Sequence, residues 1–510
     1  MHRPAGYSEL IRRYGIDAIP NWHGSVVADG AIRRVNSTRA GVEEIFPSNY
    51  WPGEELGAHL EFALKYDGTN LGILATLFEV IDEEEFLAYV RSKPVGKYAR
   101  RLWFLYEFLR GVALPIADIK TGNYIDLLDA NGYYTSNPGC RVRRQRIINN
   151  LLGDSRFCPT VRRTNLLADF EAARLDDQCR DILSNYPQEL LNRALQYFYL
   201  KETKSSFAIE HITPSSTRTV RFIALLQLAD TEDFCTKTKL IEAQNQIVEP
   251  RFREADYRTN QNYVGEAVAW QQEKVHFVSP KPEDLSDLME GLVASAQLMT
   301  ESRLQAVIQA AAISYGFVFL HPFEDGNGRI HRFLIHNILA CRGFALKGML
   351  FPISPSMLQH LDDYDNSLEA FSRPLLAFVD YTMDQEGRMR VLNDTARWYR
   401  YIDMTPQAES LFGFVKTTIQ EELVEELDFL AHYDQAKKTT SEIVDMPDRL
   451  VDLFIRFCLQ NNGRLAKRKR STHFDFLSDE EISEMEEAVR ASYRVKTETS
   501  VDQSDNPTKH

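Results

Sequence analysis

Apolar residues recur at helical spacing over two adjoining stretches of the chain. Leu304, Val307, Ile308, Ala311, Ala312 and Tyr315 form one stripe, and Ile330, Leu334, Ile338 and Cys341 form the next. The spacing predicts two helices within Ser302–Gly343. A polar loop joins them at Pro322, which stops the first helix and leaves His321 at its end. Similar patterns predict helices over Ile73–Phe86, Tyr98–Val112, Arg397–Ile402, Ser410–Leu427 and Leu450–Leu459. Ser478-Asp479-Glu480-Glu481 is a capping box, opening a last helix through Arg490. Asn123–Thr135 and Asn137–Arg163 carry more Gly, Pro, Asn and aromatics and read as loops with short strands. The β-branched and aromatic residues of 256–265 and 276–282, bounded by Gly and Pro, suit a small hairpin with an open edge. The polar tail 497–510 reads as disordered.

The loop between the two central helices holds the chemistry. It reads His321-Pro322-Phe323-Glu324-Asp325-Gly326-Asn327-Gly328-Arg329-Ile330-His331-Arg332. Gly326 and Gly328 can adopt positive φ, which lets backbone N–H groups converge on an anion. The second helix starts there, and its free N–H groups and positive dipole end favour phosphate. Arg329 and Arg332 lie three apart, so they project near each other, and planar guanidinium groups match phosphate oxygens. Asp325 is a hard oxygen donor suited to Mg²⁺ that also bridges phosphates. His321 can take a proton near neutral pH. A lone His at a helix end is usually structural and a lone GNG is usually a turn, but here every position fits one phosphate-handling scheme. A zinc site is the poorer reading: HExxH is absent, and His331 and His336 are five apart, off one helix face.

The string matches the Fic motif, HxFx(D/E)GNGRxxR, at each fixed position, and Ser302–Gly343 resembles the central helix pair of that family. The resemblance implies an all-α fold, a helical core with a small β-hairpin flap, and AMP transfer from ATP to a Ser, Thr or Tyr hydroxyl of a target protein. It implies His321 as general base, Asp325 as ligand of Mg²⁺ or Mn²⁺, and Gly326, Asn327 and Gly328 as the phosphate cradle. Arg329 and Arg332 would hold the β/γ end, and Phe323 would anchor the loop in the core. Residues 256–282 resemble the family's flap, with Asn262, Tyr263, Val264 and Gly265 on the edge that pairs with the target's backbone. Lys204–His211 resembles the inhibitory motif (S/T)xxxE(G/N): Ser206 and Glu210 match, and His211 stands where Gly or Asn is usual. In that class the glutamate competes with the γ-phosphate for the second arginine, here Arg332.

Composition narrows the remainder. A chain of 510 residues with 44% hydrophobic and 26% charged residues has the makeup of a multidomain globular protein. Cys140, Cys158, Cys179, Cys235, Cys341 and Cys458 are scattered without a CxxC pair, which points to reduced thiols and a cytoplasmic setting. The N-terminus lacks a signal-peptide apolar core, and no apolar run would span a bilayer. A net charge of −14 argues against broad electrostatic binding of nucleic acid.

Three parts are expected before the tail: a mostly helical region 1–200, a Fic core 201–383 with the inhibitory helix at about 201–213, and a helical region 384–496. Arg141, Arg143, Arg144, Arg146, Arg162 and Arg163 make the first part locally basic, read as a solvated face. Helix, basic run Arg464–Arg470 and helix leave a DNA-binding winged helix open as a weaker reading. The leading expectation is an autoinhibited protein adenylyltransferase. Its alternatives are removal of AMP from a modified protein or another Fic-type phosphoryl transfer, or a nucleotide-dependent regulator of a partner or DNA acting through 440–495 with little turnover. Target identity stays open, as do self-modification and a homodimer.

Overall fold

The computed structural model describes residues 2–30, 32–38, 41–269, 272–344 and 347–498. The expected tail otherwise falls outside the described residues; the last helix, Asp479–Glu498, includes its first two positions. The fold is mostly helical with a few small sheets. The chain groups into two compact units, one of Met1–Asp177 with Tyr199–Thr417 and one of Gln178–Phe198 with Thr418–His510. These limits differ from the three sequence segments, since the N-terminal region and the motif share one unit.

The first unit is built around the helix Ala306–Leu320. Its mean composition is apolar on every side, and nearly every residue of it is buried, as expected for a helix enclosed by others. The helix Pro282–Glu301 packs along it, joined where Gln309 Nε2 donates to Ala296 O at 3.1 Å and Thr300 Oγ1 at 2.7 Å. On another side Tyr315 shares a hydrogen bond of 2.9 Å with Ser367 of the helix Leu361–Leu376. Gln407, from Thr405–Thr417, donates to Ser367 O at 2.7 Å. The second motif helix, Asn327–Cys341, packs antiparallel to the first and is fixed near its far end by Asn337, which accepts from Phe234 N at 3.0 Å.

The N-terminal region holds more strand than its periodicity suggested. Four short strands, His2–Ala5, His23–Ala28, Gly41–Pro47 and Arg34–Thr38, form a sheet in that spatial order, the central pair parallel. The pattern Ile73–Phe86 resolves into two helices, Leu71–Val80 and Glu83–Ser92. Asp82 restarts the chain by accepting from Glu84 N and Glu85 N, a local cap that apolar spacing does not reveal. The helix Lys97–Arg110 ends at Gly111 in the left-handed conformation.

The arginine-rich segment is not simply a solvated face. Arg146 donates to Ile119 O, Lys120 O and Gly122 O, while Arg144 bridges Glu107 and Asp118 and lies over Trp103. Arg162 pairs with Asp403 at 2.8 Å, and Arg163 with Glu171 at 3.1 Å. Loops with little backbone pairing of their own satisfy their carbonyls through guanidinium donors.

The segment after these loops joins the region to the helical core. Cys158 N donates to Arg400 O, Thr160 N to Ile402 O, and Met404 N back to Thr160 O. Phe157 is fully buried where Gly153, Gly291 and Gly316 leave room for it.

The second unit has its own apolar cluster, with Val451, Phe454, Ile455, Phe474, Met485 and Val489 at its centre. Ser478 and Glu481 form the expected reciprocal cap. The basic run folds into a short helix, Lys467–His473, and no strand occurs among the described residues of 418–498, so the winged-helix reading lacks its β wing there.

Gly291→Ala should lower stability by roughly 1–3 kcal/mol, the usual range for overpacking, because its methyl would lie 2.6 Å from the backbone N of Phe157. Gly316→Ala should cost less, since its nearest atoms are the movable side-chain ends of Phe157 and Leu292. Thermal unfolding of both variants checks the order; equal or reversed losses would contradict it.

Candidate functional site

The loop between the motif helices is set by its own short-range bonds. His321 closes the first helix in the left-handed conformation, φ 50°, with its N–H on Phe317 O at 2.9 Å. Phe323 is fully buried and packs against Tyr257 and Phe317. Asn327 grips that residue from both sides, accepting from Phe323 N at 3.0 Å and donating to Phe323 O at 2.6 Å. Its side chain therefore serves the loop, and only its backbone N–H remains to face an anion.

The two glycines have different reasons. Gly326 has φ 96° and precedes the helix, where a side chain would strain the backbone. Gly328 does not use positive φ, contrary to the sequence expectation; it sits in the first helical turn. A Cβ there would lie 2.6 Å from Glu210 Oε1, so a side chain would require the Glu210 carboxylate to shift.

His321 is neutral at ordinary pH. Burial drives its pKa down to about 4, Arg258 adds to the effect, and the bond to Val318 opposes it. Nδ1 lies 3.1 Å from Val318 O, and a carbonyl only accepts, so the proton is on Nδ1 and the lone pair on Nε2. Asp325 is partly exposed and bound by Arg329.

The helix Gln188–Ile209 brings the remaining groups to the loop. Arg332 is 1% exposed. Its Nε donates to Ser206 Oγ at 2.8 Å, and its Nη2 donates to Ser206 O at 2.6 Å and Glu210 Oε1 at 2.7 Å. Burial opposes this charge, but Glu210 and Tyr364 outweigh it and raise the pKa of Arg332. Glu210 Oε2 also lies 3.1 Å from Arg329 Nε, and the Arg329 guanidinium sits 5.2 Å from the centre of the Phe207 ring. His211 turns the chain away in the left-handed conformation, φ 56°, where Gly or Asn would fit with less strain. His211 therefore closes this helix end at a cost in backbone strain.

One contact was not anticipated. Glu202, buried four residues before Ser206, pairs with His336, four residues beyond Arg332, at 2.8 Å, and accepts from Ser354 N at 2.9 Å. Glu202, Ser206 and Glu210 form one i, i+4, i+8 row, facing His336 and Arg332 in reverse order. The spacing of that row is visible in the sequence; Arg332 was expected as the partner of Glu210 from the resemblance, whereas His336 as the partner of Glu202 was not. Arg258 was likewise overlooked; it reaches His321 O at 2.8 Å.

The flap residues form an antiparallel hairpin, Tyr263–Ala269 with Gln272–Val278. Tyr263 faces Val278, Val264 faces Phe277, and the register shifts before Gly265. A Cβ on Gly265 would lie 2.8 Å from Lys274 O, which accounts for the glycine. Asn262 anchors the hairpin to the loop by donating to Phe323 O at 3.1 Å. Val264 is exposed, and no third strand pairs with the hairpin among the described residues.

Comparison with known proteins bears on this arrangement. The Fic/DOC family model matches residues 234–339, which contain the flap, the loop and most of both motif helices. The chain carries a Fic/DOC-family domain. Its sequence is 31% identical over 159 residues to the protein adenylyltransferase Fic of Culex quinquefasciatus, covering 30% of this chain and 28% of that one. The protein of the same name from Drosophila melanogaster is 35% identical over 89 residues, covering 18% of this chain and 16% of its own. The chain thus spans under a third of the length of these relatives. A Fic family protein of known structure from Desulfovibrio desulfuricans G20 aligns at 17% identity, covering 66% of this chain and 88% of its own, with a TM-score of 0.36. No helix of the described residues is long and apolar enough to cross a membrane.

Relief of strain at residue 211 is directly measurable. His211→Gly should slow hydrogen exchange of the amides at 209–212 about fivefold, equivalent to about 1 kcal/mol. Faster exchange in that variant would mean that the His211 side chain itself holds the turn.

Proposed function

We propose that this Fic-domain protein is a protein adenylyltransferase, moving AMP from ATP to a Ser, Thr or Tyr hydroxyl of a target protein, with Glu210 as built-in inhibitor. The observation that carries the reading is the Glu210 carboxylate lying against both motif arginines, at 2.7 Å from Arg332 and 3.1 Å from Arg329. A carboxylate in that position competes with phosphate for the same guanidinium donors. Being part of the chain, it acts at high effective concentration.

The roles follow from the local chemistry. The target hydroxyl oxygen attacks the α-phosphorus, the bond to the bridging oxygen of the β-phosphate breaks, and pyrophosphate leaves. His321 Nε2 takes the hydroxyl proton; the neutral ring with its proton on Nδ1 is the form that can do so. Backbone N–H groups of Asn327, Gly328 and Arg329, unpaired at the helix start, suit the phosphates. Once Glu210 withdraws, Arg329 and Arg332 hold the β/γ end. The exposed side of the flap strand at Asn262–Gly265 suits pairing with the target's backbone.

A divalent cation fits this donor set. Asp325 offers one partly exposed carboxylate, and no cluster of three acidic, His or Cys ligands occurs among the described residues. Mg²⁺ or Mn²⁺ would therefore be held by Asp325 together with nucleotide oxygens, and when bound it would supply positive charge to the phosphates. Arg329 now occupies that carboxylate, so the arginine would turn from Asp325 to phosphate on nucleotide binding.

Glu210→Gly should raise AMP incorporation above wild type, read with labelled ATP and mass spectrometry. Adding His321→Ala to it should cut transfer about 10²–10⁴-fold while ATP binding persists. Unchanged transfer in Glu210→Gly would remove the inhibitory role, and a loss of AMP removal would favour the reverse reaction. Asp325→Ala in the same background should lower transfer and blunt its response to Mg²⁺; full activity in excess EDTA would contradict the metal assignment.

A further inference from the structure

Arg258 lies outside the phosphate-handling motif, yet it is only 4% exposed. Its backbone N–H donates to Pro322 O at 2.8 Å and its Nε to His321 O at 2.8 Å. Nη1 donates to Asn260 O at 2.7 Å and Nη2 to Pro280 O at 2.7 Å. The four carbonyls come from three places: the loop that carries His321, the approach to the first flap strand, and the exit from the second. We propose that Arg258 is a positioning residue that locks the His321 loop and both feet of the flap into one body, so that a target seated on the flap meets the base in register. The inference rests on the reading of His321 as base and of the hairpin as target surface.

Several physical points support it. A non-glycine residue in the left-handed conformation costs about 1–2 kcal/mol and persists only where its surroundings hold it. His321 is such a residue, and the Arg258 fork fixes its carbonyl oxygen. The carbonyls around 321–322 follow the negative end of the helix Ala306–Leu320, where a cation is favoured. Among the described residues no carboxylate is hydrogen-bonded to this guanidinium; Glu324 and Glu254 act on it through charge alone. Burial lowers its pKa to about 10, which keeps it charged at neutral pH. A planar fork can reach three divergent carbonyls at once, whereas a lysine ammonium offers its donors from one point.

The flap offers a second sign of the coupling. Phe277 of its second strand lies 6.4 Å, ring centre to ring centre, from His321, and the Tyr399 hydroxyl donates to Val278 O next to it. Displacement of the flap feet would therefore be felt at the imidazole from the carbonyl side and from the ring side together.

The test uses the full chain with Arg258→Lys and Arg258→Met. In the Glu210→Gly background, Arg258→Lys should lower kcat by roughly 10–100-fold, the scale of a misplaced reacting group, and raise KM for the target. KM for ATP should stay within about twofold, because residues 326–332 are untouched. Independently of turnover, the His321 ring should titrate near 4 by NMR in the otherwise unaltered chain. It should titrate higher in Arg258→Met, where the facing cation is gone and Glu210 remains. If Arg258→Met does not fold, hydrogen exchange in Arg258→Lys decides: amides at 260–265 and 321–326 should loosen together. The proposal is overturned if Arg258→Lys keeps kcat and target KM, or if losses only track the folded fraction while the two segments stay protected. Should His321→Ala retain transfer, the base assignment fails, and the joint exchange behaviour still reports whether Arg258 couples loop and flap.

Discussion

Arg332 is a full positive charge, buried, beside the glycine turn that opens the second motif helix. Such a charge needs compensating hydrogen bonds, since leaving it unpaired in the interior costs several kcal/mol. Ser206 and Glu210 supply them from a helix more than 120 residues earlier in the chain. The requirement shapes its surroundings. It brings the Glu210 carboxylate onto the start of the second motif helix, 2.6 Å from where a Cβ on Gly328 would lie. Under the proposed reading, inhibition and stability would share one interaction. Nucleotide binding would exchange one anion for another at the same guanidinium, without burying the charge afresh.

The contact extends along the helix as a row. Glu202 meets His336, Ser206 meets Arg332, and Glu210 meets both arginines. The members differ in burial. The Glu202 side chain is fully enclosed, whereas about a quarter of the Glu210 side chain is exposed. Exposure lets water and ligands compete at the Glu210 end, while the Glu202 end is screened from them. The row is therefore firm at one end and exchangeable at the end that faces the loop.

The loop shows how a small number of side chains can carry backbone demands. Asn327 satisfies Phe323 on both its N–H and its carbonyl, Arg258 satisfies the carbonyls of His321 and Pro322, and the hairpin is tied in through Asn262. The helix begins at Asn327 and its first backbone bond runs from Ile330 N to Gly326 O, so the N–H groups of Asn327, Gly328 and Arg329 have no intrahelical acceptor. Preorganised donors of this kind need no rearrangement when charge arrives, which is the basis of electrostatic stabilisation in such sites.

The sequence by itself determined the local elements. Apolar spacing gave the two motif helices, Pro322 and the glycines gave the loop, and Ser478 with Glu481 gave a cap, because each depends on residues a few positions apart. The row Glu202, Ser206, Glu210 was legible as a helix face for the same reason. Only the tertiary structure decided what those groups meet. The Glu202–His336 pair, the Ser206 bonds to Arg332, the close approach of Glu210 to Gly328 and the clamp made by Arg258 each join segments dozens to more than a hundred residues apart; only the Glu210–Arg332 pairing was expected, and from the family resemblance rather than from spacing. The N-terminal sheet and the arginines that staple its neighbouring loops escaped the pattern in the same way. Spacing along a chain reports which face a side chain takes, whereas burial of charge and close approach of backbone arise only when distant segments exclude water from one another.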